Sequence, residues 1–127
     1  MPEVVVPIDR VDADTPVLQY ACDLARALGL FLHVLHVTSA PIGSPVHDET
    51  RRRLEALVPA DLAGRTQCHL EAGEPVERIL SFLGERRPDF AVMGEHARGL
   101  LRRHFTHDTA REMLHRAPCP VWFVPPR

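Results

Sequence analysis

Apolar and polar positions alternate along the chain in two rhythms. Residues Glu3–Ile8 (EVVVPI) are β-branched and almost wholly apolar, as expected for a central strand covered on both faces. Pro7 suits the end of such a strand, because it has no N–H to give to the ladder. The pattern then changes to a helical one over 15–28. Val17, Leu18, Ala21, Leu24, Ala25 and Leu28 form one stripe, Asp14 or Thr15 supplies a cap, and Gly29 supplies the stop. Residues 30–38 (LFLHVLHVT) return to strand character. A Pro-, Gly- and Ser-rich loop over 39–46 leads into a second helix at 48–58, with Leu54, Leu57 and Val58 facing inward. After a turn region at 59–64, residues 66–71 (TQCHLE) predict a third strand at a sheet edge. Pro75 starts a third helix with Val76, Ile79, Leu80 and Leu83 on its buried stripe. Residues 90–93 form a fourth strand, 109–116 a fourth helix, and Val121–Val124 (VWFV) a fifth strand.

Strands alternating with helices at this spacing predict an α/β fold: a parallel sheet, right-handed crossovers and helices on both faces. At 127 residues the chain is expected to be one domain, 1–127. Strand order is not readable from periodicity.

The candidate chemistry lies at the C-terminal ends of the first and fourth strands. Asp9 directly follows the first. Gly94 ends the fourth and opens a loop carrying His96, Arg98, Arg102, Arg103, His104 and His107, before Asp108 and Thr109 begin a helix. A strand, a glycine, a loop and a helix N-terminus are the parts of an anion site. The spacing of His104, His107 and Asp108 also suits metal ligands on a helix, but a solvated or salt-bridged loop is the plainer reading. His33 and His36 are three apart on one strand, so they point to opposite faces and do not share a metal.

Composition excludes several classes. A net charge of −2 favours neither nucleic acid nor an acidic membrane as partner. Every basic residue is Arg, which removes a Walker-type lysine and Schiff-base chemistry. Arg51, Arg52 and Arg53 sweep a broad solvated arc of the second helix. Cys22, Cys68 and Cys119 are scattered and form no CxxC. Cys119, between two prolines, is expected to be a structural thiol. No serine, cysteine or carboxylate arrangement stands out as catalytic. The first residues lack the layout of a signal peptide, and no stretch approaches a membrane span, so a cytoplasmic protein is expected.

Taken together, VVVPID at the start, LHV at 35–37, Ala-Gly-Glu-Pro at 72–75, DFAVMGEHARG at 89–99 and HRAPCPVWFVP at 115–125 resemble the universal stress protein family over essentially the whole chain. The resemblance implies an adenine nucleotide alpha hydrolase-like three-layer sandwich with a five-stranded sheet in the order 3-2-1-4-5. It implies a homodimer in which the last strands, with Val121, Trp122, Phe123 and Val124, pair antiparallel. Such an apolar edge independently invites pairing. It further implies that Asp9 and Val37 fall where ATP-holding members contact adenine and ribose, with Met93 just before the phosphate loop.

In those members the loop reads Gly, two residues, Gly, nine residues, then Gly followed by Ser or Thr. Laid on this chain, the positions are Gly94, Ala97, His107 and Asp108, with Thr109 next, so one of four matches. Ala97 adds a β-carbon and His107 a ring. Asp108 at the helix start offers a carboxylate to the N–H groups a phosphate would use. The expectation is a homodimeric stress-response protein without ATP as cofactor, with protein partners left undefined. The alternative is an ATP- or AMP-binding member in which Arg98 and its neighbours replace the glycine loop.

Overall fold

The computed structural model describes residues 1–11, 16–94 and 107–124, and within 107–110 only the backbone. Five strands form one parallel sheet: β1 (Glu3–Ile8), β2 (Phe31–Thr38), β3 (Thr66–Ala72), β4 (Phe90–Gly94) and β5 (Val121–Val124). Their order is β3-β2-β1-β4-β5. The helices are α1 (Pro16–Leu28), α2 (Pro45–Ala56), α3 (Pro75–Arg86) and α4 (His107–Arg116), with a 3₁₀ segment at Ala60–Arg65.

The sheet is central because its strands have two apolar faces. Val4, Val6 and Ile8 pack with Val17, Leu18, Ala21 and Ala25 of α1 and Leu54 of α2. Val5 faces the other way, into a cluster with Ile79, Leu80 and Leu83 of α3 and Met113 of α4. Helices α1 and α2 thus cover one face, and α3 and α4 the other. Each Val or Leu buried this way contributes roughly 1.5–3 kcal/mol relative to exposure. The sequence pattern of β1 foretold two-sided burial, and Val4, Val5 and Val6 are all inaccessible.

Helix ends follow local chemistry. Ser44 caps α2, its Oγ accepting from His47 N at 3.2 Å, and Pro45 takes the first turn. The helix therefore starts at Pro45 rather than at 48 as expected: a Ser-Pro pair is a stronger start signal than the acidic residues behind it. Glu74 caps α3 by accepting from Glu77 N at 2.7 Å. Arg87 closes α3 in the left-handed region (φ 47°), its N–H bonded to Leu83 O. Helix α4 begins at His107, two residues before the expected 109. Asp108 therefore lies inside the first turn and is not the residue that precedes it. The predicted caps of α1, Asp14 and Thr15, lie outside the described residues.

The order 3-2-1-4-5 makes the boundary between β1 and β4 the switch point. From β1 the chain moves outward through β2 to β3, then returns across β1 to lay down β4 on its far side. Val4 and Val5 pair with Phe90 and Ala91 across that seam. Crossovers leaving in opposite directions open a crevice above the C-terminal ends of these two strands.

Candidate functional site at the β1–β4 switch point

Asp9 emerges half-buried just past Ile8, at the mouth of the crevice. On the neighbouring strand His36 Nδ1 donates to Ile8 O at 2.9 Å, tying the ends of β1 and β2 together. A carbonyl only accepts, so the proton is on Nδ1 and Nε2 keeps its lone pair in the neutral ring. Burial lowers the pKa of His36, against smaller upward pulls from the Ile8 bond and the charge of Asp9. The ring is neutral at pH 7.

Val37 (6% exposed) and Thr38 (7%) complete the end of β2. Thr38 Oγ1 accepts from Ala40 N at 3.1 Å, bracing the turn that follows β2. On the other side of β1, Met93 is buried and Gly94 half-buried. Asp9, Val37, Met93 and Gly94 thus gather at the C-terminal ends of three adjacent strands. Gly94 is not in the left-handed region. Among the described residues an added Cβ would meet only Val17 at 3.9 Å, an ordinary contact. The described fold does not require a glycine there.

Helix α4 aims its first turn at this end of the sheet. It is held against the sheet by buried Met113 and against α3 by Arg116, whose Nη1 and Nη2 donate to Glu77 at 2.9 and 3.2 Å. Ala97, Arg98 and the rest of the loop lie outside the described residues, as do the side chains of His107, Asp108 and Thr109. Among the described residues no three His, Cys, Asp or Glu side chains gather to hold a metal.

Two features of the sheet ends escaped the sequence reading. Gly73 has φ 140°, and an added Cβ would strike Arg78 Cδ and Cγ at 2.9 Å. The glycine lets Arg78 fold over the start of α3 toward Glu71 (3.7 Å). No spacing rule names Arg78. On the opposite end of the sheet, His33 bonds to both Glu3 and His69. That contact depends on strand order and was not legible.

The sequence matches the universal stress protein family over residues 1–125. The chain belongs to the universal stress protein family. Solved members share its fold. Universal stress protein UspA from Lactobacillus plantarum is 17% identical, with 97% of each chain covered and a TM-score of 0.63. The universal stress protein from Archaeoglobus fulgidus in complex with dAMP is 21% identical, with 97% of each chain covered and a TM-score of 0.67. An Arabidopsis thaliana family protein with AMP bound is 19% identical, covering 100% of this chain and 93% of its own, with a TM-score of 0.60. At these identities the likeness shows the fold. Comparison with curated proteins gives no match. The family membership bears out the resemblance read from the sequence, and the sheet order agrees with it.

The last strand is laid out as the family order requires. Val121 and Phe123 face α3 and α4, while Val124 packs on the α1 side. Trp122 stacks on Phe90 with ring centroids 4.8 Å apart. It remains 45% exposed, and Tyr20 of α1 is 40% exposed beside it. Tyr20, Trp122, Phe123 and Val124 line a cavity of about 330 Å³ at the end of the sheet. Among the described residues no helix is long and apolar enough to cross a membrane.

Proposed function

We propose that this universal stress protein is a homodimeric, cytoplasmic stress-response protein that does not hold ATP in the way of its nucleotide-binding relatives. One observation carries the reading: of the four positions in the glycine loop, only Gly94 is kept, and Asp108 stands inside the first turn of α4. The first-turn N–H groups are the ones a phosphate would take. An aspartate in that turn is favourable for the helix and repels an arriving polyanion. His107 opens the helix where a glycine would leave room.

A second reading has its own support. Asp9, Val37 and Met93 stand at adjacent strand ends, and relatives of the same fold hold dAMP and AMP. In this reading Arg98, Arg102 and Arg103 grip a phosphate in place of the glycine loop. Titration calorimetry with ATP and Mg²⁺, and separately with AMP, decides between them. The first reading expects no ATP binding at micromolar concentration. Micromolar ATP binding overturns it in favour of the second.

The dimer is proposed through the outer edge of β5, with Trp122 as its anchor. The support is the exposed aromatic pair Tyr20 and Trp122 beside a strand at the end of the sheet order. Light scattering should show a dimer at micromolar concentration, and Trp122→Arg should shift it to monomer. A wild-type monomer at that concentration rejects the interface.

A further inference from the structure

Far from the crevice, on the face covered by α3, three side chains from three adjacent strands form a chain. His33 Nε2 of β2 lies 2.6 Å from Glu3 Oε1 of β1. His33 Nδ1 faces His69 Nε2 of β3 at 3.0 Å. The carboxylate accepts, so His33 Nε2 carries a proton. Between the two facing nitrogens there is room for one proton only, because one nitrogen must bring a lone pair. A second proton would set two N–H groups head-on at 3.0 Å. The two rings therefore share a single proton across the contact.

The surroundings make the pair asymmetric. His33 is 2% exposed. It is boxed in by Phe31 (5.1 Å between ring centroids) and by the edge of Phe82 (6.5 Å). His69 also packs on Phe82, at 4.7 Å, but sits half-buried on the edge strand with a way out to solvent. The charged neighbours push the same way. Glu3 accepts the Nε2–H of His33. Arg86 of α3 lies over the Phe82 ring (5.4 Å) and opposes charge on His69. Glu71 lies two residues further along β3 and leans toward Arg78, and Asp89 accepts from the backbone N of Glu3. Burial first, then Arg86 and His33, push the His69 pKa down to about 4.

We propose that Glu3, His33 and His69 form a one-proton latch that pins the edge strand β3 to the sheet, and that a second proton on the pair releases the His69 side chain to solvent. With one proton between the two facing nitrogens the contact holds. When both facing nitrogens carry a proton no lone pair is left to hold it, and the ring on the open edge is the one that leaves. Release uncovers the face of Phe82 and the inner side of β3.

Ring ¹⁵N chemical shifts of the full-length protein, followed from pH 7.5 to pH 3, test this. The expected result is a His69 step well below the ordinary histidine range, with the His33 ring signals moving at the same midpoint. In His69→Phe, which keeps a ring against Phe82, that low-pH step of His33 should vanish; His69→Gln serves if the phenylalanine variant fails to fold. A His69 that titrates in the ordinary range without moving His33 overturns the proposal. So does a low-pH step of His33 that survives the loss of His69.

Discussion

Glu3 and Asp89 hold each other reciprocally. The backbone N of Glu3 donates to Asp89 Oδ2 at 2.7 Å, and the backbone N of Asp89 donates to Glu3 O at 2.8 Å. The pair clamps the start of β1 to the turn that feeds β4, the two strands that frame the crevice at their other ends. Asp89→Ala removes one of the two bonds at an exposed site, so the expected loss is about 1 kcal/mol. Urea unfolding should show a lower midpoint at unchanged slope, and Asp89→Asn, which keeps an acceptor, should recover part of it.

Two glycines near the site are expected to respond oppositely to alanine. Gly73 combines φ 140° with a contact of 2.9 Å to Arg78, so Gly73→Ala should cost roughly 1–3 kcal/mol. Gly94→Ala, with only Val17 in ordinary contact among the described residues, should change the melting temperature little. Thermal melts of the two variants check the contrast. A large loss at Gly94 would show that the fold itself needs the glycine.

Stability should fall as the solution is acidified from pH 7. Burial lowers the pKa of His36 below its ordinary 6.5, and the ring is neutral in the folded protein. The unfolded chain therefore binds more protons once the pH drops below that value, and stability rises with pH through the window beneath it. The contribution is full above pH 6.5 and is lost on the way down to the folded value; His69, with its pKa near 4, acts in the same sense. Urea midpoints should be higher at pH 7.5 than at pH 5.5, and His36→Asn should narrow the gap.

Returning the loop to the glycine pattern of nucleotide-holding relatives should raise the affinity for ATP. The triple change Ala97→Gly, His107→Gly and Asp108→Ser returns the lost small residues and removes a negative charge from the first turn of α4. ATP affinity should rise by at least about tenfold, or 1.4 kcal/mol. Calorimetry on the variant and the wild type measures the difference. No gain would mean that something other than these three side chains controls binding.

Much of this protein could be read directly from its residues. The strands declare themselves because a doubly covered strand must be apolar at consecutive positions, as in Val4, Val5 and Val6. The helices declare themselves because Ile79, Leu80 and Leu83 recur on one stripe. Element ends were less legible: the Ser44 cap starts α2 at Pro45, earlier than expected, since capping competes locally with periodicity, and α4 starts earlier at His107. Asp9 and Gly94 were read as strand-end residues and Val37 and Met93 came from the family resemblance; folding brought the four to adjacent strand ends.

Sequence alone thus determined the alternation of elements, the apolar faces and the loss of three of the four positions of the glycine loop, because each depends on residues near one another in the chain. Tertiary structure alone decided the contacts of Glu3 with Asp89, of His36 with Ile8, and of His33 with Glu3 and His69. Those depend on which strands lie next to each other and in what register, and a one-residue slip of β3 would turn His69 to the opposite face. Neighbours across a parallel sheet are separated by whole crossovers, so no local pattern of residues records them.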